Sequence, residues 1–204
     1  MMYVARILYP VEVLGPGKRI GIWFDGCIHH CPGCSNPELW EQQERYHVSA
    51  ETVLKMVRLI AQENPVDGFT LTGGDPFLQP EALGELLEPL SRISGDILVY
   101  TGYLYEELKE RYPHLLERIA VLIDGPYLEA GNRALPLIGS DNQRIIFLQE
   151  NLREQYAPIL RRQTSRIQNF RVRDGVISVG IHRPDYEERL AEAAQRKGLE
   201  IKHE

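Results

Sequence analysis

Residues 19–34 read RIGIWFDGCIHHCPGC: a short β-rich run, Arg19 to Phe24, breaks into a loop that holds every cysteine of the 204-residue chain, Cys27, Cys31 and Cys34. On a continuous helix the spacing C-x3-C-x2-C would put the three thiols on one face. Pro32-Gly33 forbids a helix there, so the segment is a loop that wraps something. Three is an odd number, and cysteines this close cannot make an ordinary disulfide framework. That points to a reducing compartment and to a metal or a reactive thiol. Structural zinc takes four ligands, so a Cys3His site completed by His29 or His30 is one alternative. A cubane iron–sulfur cluster normally takes four thiolates, and three would leave one iron open to a ligand that is not protein.

Working outward, strand-like and helix-like patterns alternate. Ser49 is an N-cap ahead of a stripe formed by Val53, Leu54, Val57, Ile60 and Ala61. GFTLTGG (68–74) is a strand, and PEALGELLEPLSRI (80–93) is a helix that Pro89 should bend or shorten. DILVYTG (96–102) is a strand, and residues 104–119 are helical with a break near Pro113. AVLIDGP (120–126) and QRIIFL (143–148) are further strands. Such alternation predicts an α/β fold of βα units around a parallel sheet, where ligands gather at the carboxyl ends of strands. Cys27, Gly73, Gly74, Asp75, Thr101 and Asp124 each follow directly after a predicted strand. Residues 1–150 thus form a core domain. Residues 151–204 read as a small ββα appendage: a hairpin turning at Asp174-Gly175, then a helix from Pro184 that stops at Gly198.

With 43% hydrophobic and 25% charged residues the composition is that of a soluble globular protein. No apolar run approaches a membrane span and no secretory leader is evident, so the cytoplasm is expected and a membrane partner is not. The net charge of −6 is unevenly spread. The core carries 12 basic and 21 acidic side chains, the appendage 11 and 8. Six arginines lie within 151–173 against the single acid Glu154. This is either a solvated face or a docking surface for an acidic partner or nucleic acid.

The C-x3-C-x2-C loop following a strand resembles the hallmark of radical S-adenosylmethionine (SAM) enzymes, and LTGGDPF (71–77) resembles that superfamily's Gly-Gly-acid-Pro motif. GPGKRIGIWFDGCIHHCPGCSNPELW, LTGGDP, YTGY, LIDGPY and GSDNQRI are similar, in order and spacing, to the activating proteins of anaerobic ribonucleotide reductase over about residues 8–148. The resemblance implies a partial (β/α) barrel, with Cys27, Cys31 and Cys34 holding a [4Fe-4S] cluster whose open iron takes the methionine end of SAM. Gly73, Gly74 and Asp75 would hold the methionine amino group. By the same analogy Thr101 and Asp124 sit where related activases hold a monovalent cation, and Gly139, Ser140, Asn142 and Gln143 would contact the cofactor. The implied reaction is cleavage of SAM to a 5′-deoxyadenosyl radical that takes a hydrogen atom from a glycine of a large partner, with flavodoxin or ferredoxin as electron donor.

Three positions depart from the pattern. Gly33 precedes the third cysteine where the superfamily often has an aromatic residue, Ser35 follows it where the activases usually have one, and Pro126 stands where they tend to have a basic residue. The substrate is accordingly less defined than the chemistry. Two alternatives are a radical SAM enzyme acting on another peptide or a small molecule, and a zinc- or cluster-binding module whose basic tail binds nucleic acid.

Overall fold

The computed structural model describes residues 1–172 and 175–196. Seven strands form one sheet, with the order β3-β1-β2-β4-β5-β6-β7. They are β1 (Met2–Val11), β2 (Arg19–Phe24), β3 (His47–Val48), β4 (Gly68–Gly73), β5 (Ile97–Tyr100), β6 (Val121–Asp124) and β7 (Arg144–Phe147). The central four, β2-β4-β5-β6, are parallel and follow one another in chain order. The crossovers are α1 (Ala50–Glu63), α2 (Pro80–Ser91) and the pair α3 (Tyr105–Arg111) and α4 (Pro113–Leu116). Ser49 caps α1 by accepting from the Thr52 amide at 3.1 Å. Pro113 divides α3 from α4, and α2 ends two residues after Pro89.

The expectation of parallel strands holds for the centre of the sheet and not for its edges. β7 runs antiparallel to β6 because the chain between them makes only a 3-10 turn, Glu129–Gly131, and has no helix to carry a crossover. β1, which pattern alone does not mark, pairs antiparallel with both β2 and β3. Among the described residues the sheet is open, with β3 and β7 at its edges.

Alternation along the parallel strands sends side chains to two faces. Ile20, Ile22, Phe69, Leu71, Ile97, Val99 and Leu122 pack with α1–α4 on one face. On the other, Leu98, Val121 and Ile123 receive Tyr156 and Ile159 of α5 (Arg153–Leu160). The rest of that face is covered by a hairpin, β8 (Ile167–Val172) with β9 (Gly175–Gly180), followed by α6 (Tyr186–Gln195). Val179 of β9 is buried with Val11, Leu14, Trp23 and Leu39. Asp174 of the expected turn and the stop at Gly198 lie outside the described residues. No described helix is long and apolar enough to cross a membrane.

A buried polar knot fastens α5 at the start of the strands. The guanidinium of Arg19 is wholly buried and donates to Thr70 Oγ1 at 2.8 Å and to Asp96 Oδ2 at 2.6 Å. It also donates to the carbonyls of Pro16, Phe69 and Asp96. The Tyr156 hydroxyl donates to Asp96 Oδ1 at 2.6 Å. The charge is therefore both paired and saturated with acceptors, which is what makes its burial tolerable.

Candidate metal centre

β2 ends at Phe24, and the cysteine loop starts from a segment pinned on two sides. The Gly26 and Cys27 amides donate to the carbonyls of Leu39 and Trp40, at 2.9 and 2.8 Å. From β4, the Gly74 and Asp75 amides donate to the carbonyls of Phe24 and Gly26, at 2.7 and 2.8 Å. This contact explains the paired glycines. A Cβ on Gly73, which has φ of 109°, would lie 2.4 Å from the Phe24 oxygen, and one on Gly74 would lie 2.2 Å from the Gly26 oxygen. Only glycines let the two backbones meet so closely.

Asp75 is almost wholly buried. Its carboxylate accepts from the Phe77 amide at 2.9 Å, the Thr101 hydroxyl at 3.0 Å and the Gly102 amide at 2.8 Å. His29 Nε2 lies 3.1 Å from Asp75 Oδ2. Asp75 thereby ties the ends of β4 and β5 to the cysteine loop.

The three thiols, none in a disulfide, border one cavity of about 130 Å³ together with Gly73, Gly74, Asp75, Thr101 and Gln143. Burial pushes the Cys27 thiol up to about 11 and raises that of Cys34. The Asn36 amide, 3.4 Å from the Cys34 sulfur, and the Trp40 indole offset part of the latter rise. Protonated thiols become ligands only when a metal displaces the protons. Among the described residues no three His, Cys, Asp or Glu side chains converge on a single ion position. His29 also borders this cavity, with its Nε2 directed at Asp75, and the three sulfurs fit a cluster with one open iron.

The remaining predicted residues divide. Gly139 and Gln143 border an adjoining cavity, held by a hydrogen bond from the Gly139 amide to Gln143 Oε1 at 2.7 Å. Ser140 is turned to the Leu128 amide and Asn142 to the Pro126 carbonyl, so both side chains shape the loop. Asp124 is buried and engaged by Arg144 and by the Tyr105 amide, and it does not border the thiol cavity.

Four residues given no role in the sequence reading belong to this region. Tyr100 and Tyr127 border the thiol cavity, the Tyr100 hydroxyl buried without a partner among the described residues. Both stand in the quoted motifs YTGY and LIDGPY. Trp40 stacks on His30 with ring centroids 4.9 Å apart. His182 arrives from the appendage, beyond the reach of any local pattern.

Comparison with known proteins agrees with this geometry. The sequence matches the family profile described as "4Fe-4S single cluster domain" over residues 13–146. The anaerobic ribonucleoside-triphosphate reductase-activating protein of Salmonella typhimurium is 35% identical over 146 residues, 66% of this chain and 92% of that protein. Its counterparts in Enterobacteria phage T4 and Escherichia coli K12 are each 33% identical, over 68% and 66% of this chain and 90% and 92% of theirs. With the profile spanning the cysteine loop, β4 and the strands beside it, the chain belongs to the family of anaerobic ribonucleoside-triphosphate reductase-activating proteins built on a 4Fe-4S single cluster domain.

Proposed function

We propose that the protein is a radical SAM activase that installs a glycyl radical on an anaerobic ribonucleotide reductase. The observation that carries this reading is the convergence of Cys27, Cys31 and Cys34 on one cavity with Gly73, Gly74 and Asp75. When bound, a reduced [4Fe-4S] cluster supplies the electron that cleaves SAM to a 5′-deoxyadenosyl radical, which takes a hydrogen atom from a glycine of the reductase.

The chain's own residues hold and orient. The three thiols bind the cluster, and the backbone at Gly73 and Gly74, stripped of Cβ atoms, is open to the methionine end of SAM. Asp75 keeps that backbone in place through Thr101 and Gly102. Gln143 and Tyr127 border both the thiol cavity and the cavity beside it, and so line the route between them. Asp124, paired with Arg144, anchors the strand end beside the site.

Exposed apolar side chains support a protein substrate: Ile28, Leu104 and Leu128 are 60%, 45% and 52% exposed. They sit in the loops after β2, β5 and β6, at one end of the sheet. Arg161, Arg166 and Arg171 are exposed and give an acidic partner a docking surface. Flavodoxin or ferredoxin is the electron donor in this reading.

Anaerobic reconstitution with iron and sulfide, followed by SAM, a strong reductant and the reductase, tests it. The expected result is 5′-deoxyadenosine together with a glycyl radical in the electron paramagnetic resonance spectrum. A fully loaded cluster that leaves SAM intact would overturn it. Raising salt should slow radical formation on the reductase while leaving uncoupled SAM cleavage unchanged, because rim charges act on association rate.

A further inference from the structure

Two cavities of about 160 and 420 Å³ adjoin the thiol site, and Cys34, Ser35 and Asn36 form part of the wall of both. The opposite wall is β9 and its continuation. Every residue from Val176 to His182 borders at least one of the two, and no residue of β8 borders either. A run of consecutive residues, pointing alternately to both faces of a strand, can line a groove only along the strand's edge. Among the described residues β9 pairs with β8 alone. Its second edge therefore offers unpaired amides and carbonyls to the groove.

The groove is built and held open. His182, two residues beyond β9, stacks on Tyr186 with centroids 4.3 Å apart, and its Nε2 is buried without a partner among the described residues. Burial lowers the His182 pKa, so the ring is neutral near pH 7 and has one nitrogen to donate and one to accept. The His182 carbonyl accepts from Asn132 Nδ2 at 2.8 Å. Asn132 thereby ties the hairpin to the loop whose Glu129 packs beneath Gly33. The hairpin lies beyond the region matched by the family profile, which ends at residue 146.

We propose that the open edge of β9 binds an extended peptide by strand addition, and that this peptide is the glycine-bearing segment of the reductase. The proposal rests on the activase reading and adds to it where and how the substrate is held. Main-chain hydrogen bonds to β9 supply affinity that ignores side chains. Cys34 to Asn36 also line this groove, so the peptide residue that passes them lies beside the cysteine loop.

The test uses the anaerobic holoprotein with SAM and no reductant. Its probe is the acetylated and amidated heptapeptide Thr-Val-Thr-Gly-Thr-Val-Thr, labelled for fluorescence anisotropy. N-methylation at successive peptide bonds removes one amide donor at a time. Strand addition uses alternate residues, so methylation at every second position is expected to weaken binding about tenfold, the intervening positions staying within about twofold. Uniform effects along the peptide, or no binding of the parent peptide, would overturn the proposal. If the peptide fails to bind while the intact reductase still acquires its radical, only strand addition falls. Absence of both overturns the activase reading as well.

Discussion

Trp40 has a buried indole N–H without an acceptor in hydrogen-bond geometry among the described residues, and its influence falls on the Cys34 sulfur. N–H groups directed at cluster sulfurs stabilise the more negative, reduced state. Trp40→Phe is therefore expected to lower the cluster's midpoint potential at unchanged iron content, as read by an anaerobic redox titration. An unchanged or raised potential would remove Trp40 from this role. Asp75 gives a second residue-level prediction. Its oxygens accept from Phe77, Thr101 and Gly102, so the amide of Asp75→Asn would turn a donor on donors. The expected cost is about 1–3 kcal/mol by denaturant unfolding, together with weaker SAM binding at normal iron content. Normal SAM affinity with a lost cluster would show that Asp75 serves the thiol loop alone.

At the scale of elements, α5 depends on the knot beneath it. Asp96→Ala would leave Arg19 buried without its partner and is expected to destabilise by about 3–5 kcal/mol. Tyr156→Phe loses a single hydrogen bond and should cost about 1–2 kcal/mol. Equal costs in thermal unfolding would mean that Asp96 is held by Tyr156 more than by Arg19. Neither contact was legible in the sequence, because Arg19, Asp96 and Tyr156 are joined only by the folded sheet. β2, β4, β5 and β6 were legible because strands covered on both faces have to read as apolar runs. β1 was not, since most of its side chains are half-buried and carry no clean alternation. The grouping of the three cysteines on one cavity was legible because they are close in sequence. Asp124 shows the limit of local pattern: its place at a strand end is visible in sequence, but its pairing with Arg144 is not.

For the whole molecule, the side of the sheet opposite α1–α4 is completed from the C-terminal quarter of the chain, by Tyr156 and Ile159 on one part and Val179 on another. Removing residues 151–204 is expected to expose Leu98, Val121, Ile123 and Trp23 and to yield insoluble protein, checked by expression and circular dichroism. A soluble, folded truncation would show that the parallel strands and their helices suffice. The cysteine loop stands in contrast, because what holds its base is protein alone: backbone bonds to Leu39, Trp40, Gly74 and Asp75. None of these bonds runs through a thiol. Air that destroys the cluster would strip a loop and spare the scaffold, leaving a protein that can be repaired with fresh iron and sulfide instead of being degraded and made again.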